Sequence, residues 1–327
     1  MKIIMITPAP PGSRAGNRAT AERWADLLRQ AGHQVAVVTE YQGESCDAFV
    51  ALHAWRSHDA IQMFRKCWPE APLLLALTGT DIYRHQHEYP LPTLASMAAA
   101  DVLIGLHARV NEDIPEQFTD KLITLYQSAE ALPAARNAGR NTDCFDVCVI
   151  GHLREEKDSL RTAIAARLLP EDSTVRVLCA GKPHNDSWQS MVEKEVQENP
   201  RFEWLGELDK AEIRSLMARC QLMVISSVME GGANVVSEAC RAGLAIIASD
   251  IPGNRGLLGD HYDGYFPAGD EVSLAHTLHR AETDPEYRER LSEQVQALAP
   301  LFTPENERQA LERALETATR RRADLKG

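Results

Sequence analysis

Leu222-Met223-Val224-Ile225-Ser226-Ser227-Val228-Met229-Glu230-Gly231-Gly232-Ala233-Asn234-Val235-Val236-Ser237-Glu238-Ala239 runs from an apolar strand, through a polar glycine-bearing turn, into a helix. The apolar run is short and unalternated, as in a strand buried on both faces. Gly231 and Gly232 leave room for a ligand to approach the backbone. The helix is expected to start near Asn234, a good cap residue, and to stop at Gly243. Its first turn would turn unpaired N–H groups and the positive end of the dipole toward a phosphate or sugar oxygen. Taken singly, Glu230 reads as a turn cap and Glu238 as a solvated helix residue. Eight residues apart and beside this turn, they form a carboxylate pair suited to sugar and ribose hydroxyls.

The same strand–turn–helix unit recurs along the whole chain. Ile3 to Ile6, Val35 to Thr39, Phe49 to Leu52, Leu73 to Leu77, Val102 to Leu106 and Leu122 to Leu125 make a first series of six strands. Val147 to Ile150, Val175 to Cys179, Phe202 to Leu205, Leu222 to Ile225, Ala245 to Ala248 and Gly264 to Phe266 make a second. Between the first two runs, Ala21, Trp24, Ala25 and Leu28 form the apolar stripe of a helix that Gly32 ends. This pattern predicts an α/β chain with two parallel sheets, each covered by helices. At 327 residues there is length for two domains. The boundary falls in the Ala/Asn/Gly-rich stretch from Ala129 to Asp143, giving an N-terminal domain over 1–135 and a second over 143–303. The charged segment 304–327, with Leu311 and Leu315 as its strong apolar pair, reads as a terminal helix packing back on the first domain.

Right-handed crossovers put every strand's carboxyl end on one edge of its sheet, so function is sought in the turns there. In the second half, Gly151-His152-Leu153-Arg154-Glu155-Glu156-Lys157-Asp158 follows the first strand. Arg154 and Lys157 are three apart, and on a first helical turn they project together toward a phosphate. In the first half, Thr7 to Thr20 is a long turn carrying Arg14, Gly16, Asn17, Arg18 and Thr20, and it reads as an anion site. It lacks G-x-G-x-x-G, which disfavours a nicotinamide cofactor there. His53 with Arg56, Thr78 with Thr80 and Asp81, and His107 end later strands in the same way.

Composition narrows the partners. A net charge of −12 opposes binding to nucleic acid or an anionic membrane, yet leaves room for a small phosphate ligand. Seven cysteines with no C-x-x-C pair suit a reducing compartment, and no zinc site is expected at Cys144 and Cys148. No apolar run is long enough to cross a bilayer, and the expected location is the cytoplasm.

The G-x-L…K loop at Gly151 to Lys157 and the E-x7-E pair at Glu230 and Glu238, in that order, resemble the GT-B glycosyltransferases of the GT4 type along essentially the whole chain. The resemblance implies two Rossmann-like domains whose sheets face each other across a cleft. It implies that Arg154 and Lys157 hold the diphosphate of a nucleotide-sugar, with Gly151 lining their loop and Glu238 on the ribose. Glu230, Gly231, Gly232, Ala233, Asn234 and Val235 would meet the sugar, and Leu205 and Gly206 the base. T-P-x-x-x-G-S-R-x-G-N-R-x-T, L-H-A-x-R-S, L-T-G-T-D-x-Y and S-x-x-E-G-G-A-N together are similar to the selenosugar synthases of the selenoneine pathway. That likeness implies a UDP-glucose or UDP-N-acetylglucosamine donor and selenophosphate as acceptor. Selenophosphate would sit on Arg14, Gly16, Asn17, Arg18, Thr20, His53, Arg56, Thr78 and Thr80. Its selenium is already anionic and nucleophilic, so positioning groups rather than a strong base are expected. Asp81 and His107 are the candidates for touching the sugar. Arg154 and Lys157 would steady the leaving diphosphate, so no metal or other cofactor is required. Alternatives are a GT4-type enzyme with a hydroxyl acceptor, a UDP-sugar epimerase, and a non-catalytic binding module. The oligomeric state stays open.

Overall fold

The computed structural model describes residues 1–13, 15–132 and 143–324. Within them the chain divides into two compact units, Met1–Ser128 with Pro304–Gly327, and Ala129–Thr303. Arg14 and the part of the expected linker and domain edge at 133–142 lie outside the described residues.

Unit 1 contains β1 (Lys2–Ile6), β2 (Gln34–Val38), β3 (Ala48–Leu52), β4 (Leu73–Ala76), β5 (Val102–Gly105) and β6 (Leu122–Thr124). Unit 2 contains β7 (Phe145–Ile150), β8 (Val175–Ala180), β9 (Phe202–Trp204), β10 (Leu222–Ile225), β11 (Ile246–Ser249) and β12 (Tyr265–Phe266). Every run read from the sequence is therefore a strand, with ends displaced by one or two residues. The sheets are ordered β2-β1-β3-β4-β5-β6 and β12-β11-β10-β7-β8-β9, and neighbouring strands pair in parallel. The order reverses between β1 and β3 in unit 1 and between β7 and β10 in unit 2. At such a reversal the following helices depart to opposite faces and open a crevice at the carboxyl edge.

Why the strands read as unbroken apolar runs is visible in unit 1. Ile3 and Met5 join a core with Trp24, Leu28, Val50 and Ile104, whereas Ile4 and Ile6 join another with Phe49, Phe64, Leu75 and Leu103. Side chains alternate in direction along each strand, and both faces are covered. Phe49 and Phe64 stack with centroids 4.5 Å apart in the second of these cores.

The first core is closed by the last helix, Pro304–Asp324, which buries Leu311 and Leu315 together with Ala310, Ala314 and Ala318. Burying each leucine contributes roughly 1.5–3 kcal/mol, and the alanines let the helix approach. Its first turn buries a carboxylate as well, since Glu307 is 1 % exposed. Arg23 Nε lies 2.9 Å from Glu307 Oε2, Trp24 Nε1 donates to Oε1 at 2.7 Å, and Ser128 donates through N–H and hydroxyl. Thr20 Oγ1 and Arg23 Nη2 both donate to Gln127 Oε1, at 2.6 and 2.9 Å. One buried acid thus fastens the first helix (Gly16–Gln30), the residue where the chain leaves unit 1 and the helix by which it returns. Among the described residues no helix is long and apolar enough to cross a membrane.

Glu307→Ala should destabilise unit 1 by about 3 kcal/mol, because it leaves the half-buried Arg23 guanidinium and the buried Trp24 and Ser128 donors without their acceptor. Glu312→Ala, which breaks the half-exposed pair with Arg308, should cost under about 1 kcal/mol. Urea unfolding followed by tryptophan fluorescence measures both.

Candidate functional site

In unit 2 the turns flanking the reversal are joined into one structure. Gly151 leaves β7 with φ 152°, a backbone conformation that disfavours any side chain. A Cβ on Gly181, just past β8, would sit 1.9 Å from the Gly151 carbonyl oxygen, so only glycine lets the two turns touch. Leu153 N–H donates to Lys182 O at 3.0 Å and His184 N–H to Leu153 O at 2.9 Å, extending the contact. On the other side Val228 N–H donates to Glu156 O at 3.0 Å and Ser226 Oγ to Asp158 O at 2.9 Å.

The expected first helical turn for Arg154 and Lys157 is corrected. Arg154 is extended at φ −159°, and Glu155–Lys157 is a short 3-10 turn closed by Asp158 at φ 43°. The two cations accordingly do different things. Arg154 remains 44 % exposed with its Nε 3.8 Å from Glu156, whereas Lys157 Nζ is 2.5 Å from Glu230 Oε1. Ser227 Oγ donates to the same Glu230 oxygen at 2.5 Å. Glu230 is only 7 % exposed, so its carboxylate is turned into this cluster rather than being an open loop acid.

The helix after β10 is Asn234–Ala242, capped by Ala233 and ended by Gly243 at φ 60°. Asn234 is therefore its first residue and not its cap. Among the described residues no side chain caps the N-terminus, and Asn234 Oδ1 and Ser237 Oγ are buried without a hydrogen-bond partner. Each such atom costs about 1–3 kcal/mol. Glu238 is half-buried on this helix, while Gly231, Gly232 and Val235 are half-buried around its start and Ala233 is buried. Leu205 and Gly206 follow β9, where Gly206 O accepts from Gly181 N–H at 2.7 Å.

Sequence reasoning passed over the layer beneath. Ser249 Oγ donates to Ser227 O at 2.5 Å, and Asn254 Nδ2 donates to Ser249 O at 2.9 Å. The signal was present, since Ser249 to Asn254 is a polar turn with a Pro-Gly pair directly after a strand.

In unit 1 the reversal lies between β1 and β3. Thr7 is fully buried, and its Oγ1 has no partner among the described residues. Arg18 is 8 % exposed; its Nε pairs with Glu22 at 2.7 Å and its Nη1 is buried without a partner. Gly16 and Arg56 are exposed and Asn17 is half-buried. Thr20 is removed from the expected cradle, because its hydroxyl is committed to Gln127 and it is 4 % exposed.

Across the reversal, His53 takes φ 81°, which costs a non-glycine residue roughly 1–2 kcal/mol. Its Nδ1 lies 2.7 Å from Asp81 Oδ1, and its Nε2 stands 3.3 Å from Thr80 Oγ1. Asp81 opens a π-helical turn, Asp81–His85. Its oxygens also accept from the N–H groups of Ala54, Trp55 and Thr78 and from Thr78 Oγ1. Burial alone raises the Asp81 carboxyl, but the two imidazoles of His53 and His85 and the Thr78 N–H outweigh it and hold the group well below the usual range. His53, Asp81 and His85 are close enough to suggest a metal, with one ligand atom each inside 4.8 Å. The acceptor sites of Asp81 are already filled by protein donors, however, so the trio is organised around a proton.

Asp81 and His107, expected to touch the sugar, are both 0 % exposed, so a ligand would reach either only if its turn opened. Asp81 organises the loop around His53. His107 Nδ1 accepts from Arg109 N–H at 3.2 Å, which leaves its Nε2 proton toward Tyr83 Oη, itself bonded to Asp113. Thr78 likewise spends its hydroxyl on Asp81. Burial and the neighbouring Arg109 push His107 down to about 4.

The model for the family described as glycosyl transferases group 1 matches residues 133–297. The gpi3 subunit of phosphatidylinositol N-acetylglucosaminyltransferase from Schizosaccharomyces pombe is 29 % identical over 144 residues, 43 % of this chain and 31 % of that protein. The chain thus matches under a third of that relative's length. Among solved structures, Anabaena HepE in complex with UDP and glucose aligns with a TM-score of 0.78 at 17 % identity, covering 97 % of this chain and 99 % of that one. HepE in complex with UDP-glucose aligns at 0.77, with 17 % identity and the same coverage. Sucrose-phosphate synthase from Thermosynechococcus elongatus aligns at 0.79 with 15 % identity, covering 95 % and 97 %. At these identities the likeness establishes the fold, which is of the GT-B type with two Rossmann-like units.

Two outcomes check this geometry. Gly181→Ala should destabilise unit 2 by about 1–3 kcal/mol, because a Cβ 1.9 Å from the Gly151 carbonyl oxygen forces the two turns apart; urea unfolding reads this. For His107, the folded value near 4 lies below the ordinary 6.5, so the unfolded chain binds the extra proton. The stability this histidine contributes is complete above pH 6.5 and is lost as pH falls toward 4. His107→Gln should flatten that part of the stability profile.

Proposed function

The chain belongs to the group 1 glycosyl transferases, and on that premise we propose that it moves a hexose or N-acetylhexosamine from a UDP-sugar to the selenium of selenophosphate. Transfer from a nucleotide-sugar is what the family likeness supports directly. The HepE complexes with UDP and UDP-glucose favour uridine in the donor. On this reading the diphosphate meets Arg154 and Lys157 at the β7–β10 reversal. It competes with Glu230 for the lysine and gains stabilisation as negative charge develops on the leaving group. Glu230, with the turn from Gly231 to Val235, meets the sugar, and Glu238 the ribose. No divalent cation is needed, because the two side chains supply the positive charge.

The acceptor half rests on one observation. The turn after β1 and the helix it opens into carry two buried donors, Thr7 Oγ1 and Arg18 Nη1, without partners among the described residues. Leaving such donors unpaired is costly, and a small oxyanion such as selenophosphate, admitted where this segment opens, would satisfy them. Gly16 and Asn17 open that helix, Arg56 lies on the turn after β3, and Arg14 is assigned there by sequence alone. Transfer forms the C1–Se bond as C1–O to the diphosphate breaks. Water then cleaves Se–P, leaving UDP, phosphate and the 1-selenosugar.

A second reading is supported by the His53–Asp81 pair. Asp81 holds Nδ1 and Nε2 faces the Thr80 hydroxyl at 3.3 Å, so once that turn opens the ring is set to take a proton from a hydroxyl acceptor. Selenophosphate needs no such base.

The test is UDP release from UDP-glucose and UDP-N-acetylglucosamine, with and without selenophosphate, with products identified by mass. Strict dependence on selenophosphate and indifference to EDTA are expected. Glu238→Ala should raise the donor KM about tenfold or more, and Arg18→Ala should raise the selenophosphate KM instead. If His53→Gln abolishes turnover with a hydroxyl acceptor while selenophosphate gives no product, the second reading replaces the first.

A further inference from the structure

The donor-side turn is supported by groups that neither its motif nor the family likeness draws attention to. Five polar residues follow one another in a line of hydrogen bonds. Asn254 Nδ2 donates to Ser249 O at 2.9 Å and to Ser249 Oγ at 3.0 Å. Ser249 Oγ donates to Ser227 O at 2.5 Å, and Ser227 Oγ to Glu230 Oε1 at 2.5 Å. Lys157 Nζ meets that same oxygen at 2.5 Å. Asn254 and Ser249 are fully buried and Ser227 is 1 % exposed, so water does not compete for these bonds.

The backbone of Glu230 is located by the same element. A Cβ on Gly253 would fall 2.1 Å from the Glu230 carbonyl oxygen, which means the short helix Pro252–Leu258 presses on the turn. Asn254 Oδ1 is buried without a partner among the described residues. The amide is therefore oriented by its donor side alone, and turning it over would set oxygen against the Ser249 carbonyl. An apolar side chain would fill this position without stranding an oxygen; the asparagine is explained by what its amide holds.

We infer that Ser249 and Asn254 are positioning residues for Glu230, fixing the carboxylate that meets the donor's sugar. The inference rests on the reading of Glu230 as a sugar contact. Neither residue touches the donor. Each acts through Ser227, which carries the restraint from the turn after β11 to the turn after β10.

The experiment compares calorimetric affinities for UDP and for UDP-glucose or UDP-N-acetylglucosamine, whichever binds more tightly. The quantity read is the extra affinity conferred by the sugar. Glu230→Gln should reduce that extra affinity, while UDP itself, relieved of competition for Lys157, should bind no more weakly. Ser249→Ala and Asn254→Ala should do the same by about three- to tenfold. A role in stability alone would lower both affinities together. In a double-mutant cycle, Ser249→Ala added to Glu230→Gln should have little further effect. Additive losses, or equal losses for UDP and the UDP-sugar, overturn the inference while leaving Glu230 as a sugar contact. An unchanged sugar increment in Glu230→Gln removes the reading of Glu230 itself, and the inference with it. Ser227→Ala repeats the test through the intermediate residue should Asn254→Ala fail to fold.

Discussion

The constraint from which the rest follows is the reversal of strand order within each parallel sheet. Right-handed crossovers allow a sheet to grow in only one direction at a time, so building outward both ways from a central strand leaves one pair of neighbours whose helices go to opposite faces. In unit 2 that pair is β7 and β10. The turns after them cannot be covered by a helix, and the chain closes the opening with polar groups instead. Lys157 and Glu230 meet there, braced by Ser227 and by two glycine contacts that bring neighbouring turns within touching distance.

Unit 1 meets the same constraint with different chemistry. Its reversal lies between β1 and β3, and the turns there hold an ionised carboxylate, Asp81, beneath a strained histidine. Unspent donors lie on the turn after β1 and the helix it opens into. Unit 2 thus presents an internally neutralised acid–base pair and unit 1 unsatisfied positive and hydroxylic donors.

Side-chain direction is where sequence reasoning went furthest astray. Asp81 and His107 both follow strands and both look like outward-facing chemistry, yet each is enclosed by its own turn. Position after a strand puts a residue at the right edge of the sheet; it says nothing about whether the chain then curls over it. The π-helical turn at Asp81–His85 is what folds Asp81 inward, and no periodicity in those residues announces it. Arg154 and Lys157 were separated in the same way, by a turn tighter than the helix their spacing suggested.

Twelve strands among the described residues, their two parallel sheets and the carboxyl edge of each were legible in residue order alone. These depend on apolar runs and on the handedness of the chain, both local or universal. Which polar groups pair was settled by packing in three dimensions. Lys157 with Glu230, Asn254 with Ser249, and Glu307 with Arg23 and Trp24 are separated by as few as five residues and as many as 284. Such partners are chosen by how strands and helices pack, and a buried charge or amide takes whichever complementary group the packing brings within reach.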